Sequence, residues 1–144
     1  MVLEGEWNDF FENSARHAAV VAYSQKNYAD AYGYYMQLLS SATSPQTKEV
    51  AYAGLMLSGY NSGKIAEAGL YADSLMEMPG ISAEKINDAT FYKARAMQEA
   101  DNADEAIKLY KQLSSNKNGE IAVESKYRIA ELLLKQDKLK EAEK

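Results

Sequence analysis

Residues 25–39 read QKNYADAYGYYMQLL, and residues 100–114 read ADNADEAIKLYKQLS. Asn27 answers to Asn102, Ala31 to Ala106, Tyr35 to Tyr110 and Leu38 to Leu113. Within each phrase the apolar residues recur at spacings of three and four, which places them on one face of an α-helix. The frame returns in GKIAEAGLYADSL at 63–75 and in DKLKEAEK at 137–144. Its alanine falls at 31, 68, 106 and 142, with gaps of 37, 38 and 36 residues. A fixed period of this size signals stacked helical units, none of which can bury its apolar face alone.

A leading helix is expected before each phrase, over about 8–25, 46–61, 82–100 and 120–135. Each carries a small residue twelve positions ahead of the phrase's alanine: Ala19, Ala94 and Ala130, with Met56 as the exception. Helix starts are marked by Ser44 and Ser82 before the leading helices and by Asn27, Ser62, Asn102 and Asp137 before the following ones. Asn102 and Glu105 have the spacing of a capping box. Pro45 suits a first helical position. The linkers SSATSP, EMPGIS and SSNKNG are short and polar, so neighbouring helices must pack as antiparallel pairs. Small residues at the crossings, Ala19 with Ala31, Ala94 with Ala106 and Ala130 with Ala142, allow close approach of the two helices in a pair. Glycines at 54 and 59 are read as permitting close packing.

The pattern resembles the tetratricopeptide repeat. In the order small residue, bulky opener, alanine, aromatic, apolar, the first unit reads Ala19, Tyr28, Ala31, Tyr35, Leu38. The second reads Met56, Ile65, Ala68, Ala72, Leu75, and the third Ala94, Ala103, Ala106, Tyr110, Leu113. The fourth, incomplete, reads Ala130, Leu139, Ala142. The family's Trp-x-x-Leu-Gly opening and its closing proline are absent. The segment VESKYRIAELLLKQDKLKEAEK at 123–144 is most similar to repeats of bacterial cell-envelope proteins. The resemblance implies an all-α fold: a right-handed α-solenoid of about eight helices in one domain. Its units would span about 12–43, 44–79, 80–116 and 119–144, after a lead-in over 1–11.

Composition bounds the function. The chain has 144 residues, 47% hydrophobic and 26% charged, which is globular. It has no cysteine, so disulfides and thiolate chemistry are excluded. Net charge is −5 and no basic stripe exists, so nucleic acid is not the expected partner. No stretch is long and apolar enough to span a membrane. The N-terminus MVLEGEWNDFFEN lacks the basic start of a signal peptide. The chain therefore reads as cytoplasmic, or as a section of a longer secreted parent of the periplasm or cell envelope.

No chemistry-bearing constellation stands out. The single histidine, His17, has no second histidine at helical spacing, so it reads as a helical histidine rather than a metal ligand or base. Asp101, Asp104 and Glu105 cluster at a helix start, where they favour the helix dipole. No glycine-rich phosphate loop is present. No cofactor and no catalysis are expected.

The resemblance implies that the leading helices line a concave groove that holds a peptide or protein segment. Carried over by the frame, its positions are Asn13, Arg16, Val20 and Tyr23, then Ala53, Leu57 and Tyr60. The third helix adds Asp88, Phe91, Arg95 and Gln98, and the fourth Tyr127 and Glu131. Aromatics and arginines on one face have the composition of a protein-binding surface. The paired lysines and asparagines of the carboxylate-clamp subtype are replaced by Val20, Ala53, Leu57 and Phe91. The rival reading is a structural spacer or self-association module without a groove ligand, joined through its C-terminal end. There the incomplete fourth unit would leave apolar surface uncovered.

Overall fold

The computed structural model describes residues 4–115 and 119–142, so part of the SSNKNG linker lies outside the described residues. It is built from α1 (Glu4–Ser24), α2 (Tyr28–Ser41), α3 (Pro45–Asn61), α4 (Ile65–Met76), α5 (Ala83–Glu99), α6 (Ala103–Ser114) and α7 (Glu120–Ala142). Among the described residues there is no strand. Each helix packs on the next along the chain.

Three of the turns are copies of one device. Lys26 (φ 63°), Gly63 (φ 90°) and Asp101 (φ 58°) are left-handed, each five residues before the phrase's alanine. The next residue turns its N–H back on the preceding helix: Asn27 to the Ala22 carbonyl at 2.8 Å, Lys64 to Gly59 at 2.7 Å and Asn102 to Met97 at 2.9 Å. This is a Schellman closure, which satisfies end carbonyls and reverses the chain within a few residues.

The closure displaces the caps expected from sequence. Ser44 and Ser82 do cap, accepting from Thr47 N–H at 3.2 Å and Lys85 N–H at 3.3 Å. Asn27 and Asn102 occupy cap positions but make no side-chain cap bond, and Lys64 rather than Ser62 precedes α4. Their backbone, near φ −90° and ψ 65°, is set by the left-handed residue before them and is not the extended conformation of the two serine caps. No capping box forms at Asn102, whose side chain makes no cap bond.

The fourth unit differs most. Among the described residues seven helices form instead of eight, because α7 runs unbroken through Asp137. Asp137 stands where Lys26, Gly63 and Asp101 turn, but nothing in LKQDKLKE compels a break. Continuing the helix keeps every backbone bond. Ala130 is consequently exposed instead of buried at a crossing, and the side chain of its expected partner Ala142 lies outside the described residues.

The other crossings are as the alanines require. Ala19, Ala31, Ala94 and Ala106 are fully buried, and so is Ala68. Ala19 and Ala31 share one core cluster with Tyr35, Leu38 and Leu55. Ala94 and Ala106 share another with Ile107, Tyr110, Leu113 and Leu132. Met56, Ala72, Leu75 and Ala89 form the cluster between them. Two glycines set further approaches. A Cβ on Gly54 would run into the ring of Tyr35, and one on Gly69 would lie 2.5 Å from Ala96 Cβ.

The helices sort into two sets. The leading helices α1, α3, α5 and α7 approach one another within 8 Å between Cα atoms, each to the next in its set. The following helices α2, α4 and α6 do not, among the described residues. Long side chains bridge α2 and α4 instead: the Tyr71 ring stacks edge-on against Tyr32 at 6.3 Å, and its hydroxyl donates to Met36 Sδ at 3.1 Å.

Candidate protein-binding face

The face lined by the leading helices is where the sequence frame places its groove. Its first helix contributes Asn13, exposed, and Arg16 and Tyr23, both half-buried, while Val20 is 52% exposed. Arg16 Nε is buried and has no hydrogen-bond partner among the described residues. Its charge lies close enough to Tyr35 to oppose the rise in that hydroxyl's pKa, which burial and Tyr23 together push up.

Tyr23 fastens α1 to α3. Its hydroxyl accepts from Asn61 Nδ2 at 3.3 Å, and its ring meets Tyr28 edge-on at 5.2 Å. Burial raises the Tyr23 pKa first, and Tyr28 adds to it. Asn61 also donates to the Leu57 carbonyl at 2.8 Å, so this rung is held from both sides.

Tyr60 fastens α3 to α5. Arg95 Nε donates to the Tyr60 hydroxyl at 3.1 Å and the guanidinium lies 5.7 Å from the ring centroid. Arg95 Nη1 donates to Gln98 Oε1 at 3.0 Å, and the Tyr110 hydroxyl donates to the same oxygen at 3.0 Å. Burial alone would lower the Arg95 pKa, but Tyr60, Tyr110 and Glu99 raise it beyond the usual value. Tyr110 is fully buried, and desolvation pushes it up to about 12 against the opposing charges of Arg95 and Arg128. Tyr60, Arg95, Gln98 and Tyr110 thus form one polar chain through α3, α5 and α6. At the other end of α3, Lys85 and Glu49 form an ion pair.

Leu57 and Ala53 sit half-buried on α3, against the middle core cluster. Asp88 is half-buried, and burial followed by the Glu84 charge raises its carboxyl pKa.

Phe91 is placed differently from an open groove residue. It is half-buried and packs against Tyr92 at 5.6 Å and Tyr110 at 6.0 Å. It also borders a hollow lined by Ile121, Val123 and Glu124 at the start of α7. Tyr127 is 63% exposed, and Glu131, also exposed, accepts from Arg128 Nη1 at 3.4 Å. The structure therefore brings Tyr60, Arg95 and Gln98 into direct contact and joins Tyr23 to α3. It leaves Asn13 and Tyr127 apart from that chain.

Sequence reasoning missed Asn61, Tyr92 and Tyr110 as members of these networks. Asn61 gives no signal in the frame, since its partner lies 38 residues away. Tyr92 meets Tyr60 edge-on at 5.0 Å, a contact set by the approach of α3 to α5. Among the described residues, no group of three or more histidine or acidic side chains is arranged to hold a metal. Among the described residues, no helix is long and apolar enough to cross a membrane. Compared with known proteins, the chain matches no family, no curated protein and no solved structure.

Proposed function

We propose that the chain is a non-catalytic protein-interaction scaffold of the tetratricopeptide-repeat kind. The helix pairs stack as a right-handed solenoid, and a peptide or protein segment lies across the leading helices. One observation carries the reading. The leading helices approach one another while the following helices stand apart, which supports reading the leading-helix face as the inner, concave one. The cross-helix rungs of Tyr23 with Asn61 and Tyr60 with Arg95 support it, because they hold polar and aromatic groups rigid before any ligand arrives. On α3, one to two turns before the rungs, Ala53 and Leu57 supply apolar floor.

Selection from a displayed peptide library tests the proposal. Wild type should enrich a common motif. Leu57→Glu, on the inner face, should abolish enrichment with helicity unchanged. Leu70→Glu, at a 66% exposed position on α4, should leave it intact. Failure to enrich any motif, or loss only in Leu70→Glu, overturns the groove.

The rival, a spacer or self-association module, is favoured by a different observation. One face of α7 carries exposed apolar residues, including Val123 and Leu134.

A further inference from the structure

Helix α7 is apolar on two opposite faces. Ile129 and Leu132 pack into the core cluster of α5 and α6, Ala122 and Ser125 are buried, and Leu132 is 4% exposed. Diametrically across, Val123, Tyr127, Ala130 and Leu134 recur at spacings of four, three and four, which aligns them in one stripe. They are exposed, at 70% for Val123, 63% for Tyr127 and 57% for Leu134. A soluble helix with one buried face normally keeps its opposite face polar. A continuous apolar stripe marks an interaction surface.

The charges beside the stripe say what covers it. Glu120 and Glu124 flank its first half, and Lys135 and Lys138 flank its second half. Arg128 holds both Glu124 Oε1, at 3.0 Å, and Glu131 Oε2, at 3.4 Å, within the helix, so a further cation meets Glu124 at its other oxygen. We infer that the α7 stripe pairs with the α7 stripe of a second copy of this chain, antiparallel, about a two-fold axis passing near residues 128–130. That axis sets Val123 against the partner's Leu134 and Tyr127 against its Ala130. It also sets Glu120 against the partner's Lys138 and Glu124 against its Lys135. The symmetry repeats each contact, giving four ion pairs around an apolar seam. A parallel pairing would instead align Glu120 with Glu120 and Lys135 with Lys135, which repels. The small side chain of Ala130 near the axis lets the two helices come close. An isologous two-fold contact of this kind closes on itself and stops at the dimer.

The inference does not rest on the groove reading. Leu57→Glu should leave the dimer intact, so failure of one does not entail failure of the other.

Sedimentation of the full chain over a range of concentrations tests it. Wild type should approach the mass of a dimer as concentration rises. Tyr127→Glu, at an exposed position, should weaken association by at least about tenfold while helicity is retained. Glu124→Lys and Lys135→Glu should each weaken it by about tenfold. The double variant Glu124→Lys/Lys135→Glu should restore it, because the two charges exchange places across the axis. The chain has no cysteine, so Ala130→Cys alone should give a disulfide-linked dimer on mild oxidation. A strict monomer at high concentration, or association untouched by Tyr127→Glu, overturns the proposal. A double variant no tighter than the single ones overturns the antiparallel register.

Discussion

Arg95 Nε donates to the Tyr60 hydroxyl at 3.1 Å across 35 residues of sequence, and Arg95 Nη1 donates to Gln98 Oε1 at 3.0 Å on its own helix. One guanidinium thereby ties the second helix pair to the third. Its side chain is only 11% exposed, so water replaces a lost partner poorly. Tyr60→Phe should keep the ring against Tyr92 and cost about 1 kcal/mol in denaturant unfolding. Tyr60→Ala should cost about 2–3 kcal/mol, since the edge-on contact and the cation–π contact go as well. Equal stabilities for Tyr60→Phe and wild type would show that the bond contributes nothing net.

Gly54→Ala should destabilise despite its better helix propensity. The gain is about 1 kcal/mol. Against it, the added methyl runs into the ring of Tyr35, which is 8% exposed and hemmed in by the core around Leu38 and Leu55. Overpacking of this kind costs about 1–3 kcal/mol. Adding Tyr35→Leu should recover part of the loss, measurable as a non-additive double-mutant cycle. Additive losses would mean that the two positions do not touch.

Lys26 and Asp101 hold left-handed backbone with a side chain attached, while Gly63 holds the matching position with none. Lys26→Gly should therefore raise stability by about 0.5–1 kcal/mol, the relief of strain exceeding the extra chain entropy. Gly63→Ala should lower it by about 1 kcal/mol. Thermal unfolding of the pair reads both signs. The same sign in both would contradict a shared closure.

Ser125 on α7 is fully buried, and its hydroxyl has no partner among the described residues. Ser125→Ala removes an unpaired polar atom with little change of shape. It should raise stability by about 1 kcal/mol. A loss on substitution would reveal a bond to the hydroxyl.

Two desolvated tyrosines set an alkaline limit. Desolvation pushes Tyr92 and Tyr110 up to about 12 from an ordinary 10.0. Below pH 10 both are protonated in either state and their contribution is complete. Between about 10 and 12 the unfolded chain releases protons that the folded chain keeps, so stability falls as pH rises. Tyrosinate absorbance should show a late-titrating class, and Tyr92→Phe should flatten the loss of stability over that window. Titration of all tyrosines as one ordinary class would contradict the desolvation of these two.

Much of this was legible in the chain itself. The recurrence of alanine at 31, 68 and 106 located three helix pairs, because small residues at fixed period are what close crossings demand. Ser44 and Ser82 were legible as caps, since a cap is a local hydrogen bond within four residues. Asn27 and Asn102 were misread because a left-handed residue one step earlier changed the backbone that the cap needs. Arg95 and Gln98 were placed on one helix face by their position in the repeat, and the structure brings them into contact. Asn61 and Tyr92 were not, for their partners are brought up only by the approach of one leading helix to another.

By itself, the sequence determined that the described residues are all-helical, roughly where the first six helices lie, and that Ala19, Ala31, Ala94 and Ala106 are buried. Those are properties of period and local bonding. Tertiary structure decided the rest. It set the Tyr60–Arg95–Gln98–Tyr110 chain, because those distances depend on how one pair packs on the next. It drew Phe91 into the packing of α5 against α6. It also made α7 one helix where the repeat called for two, because a break at Asp137 gains nothing unless a return helix buries enough surface to offset the entropy of forming it.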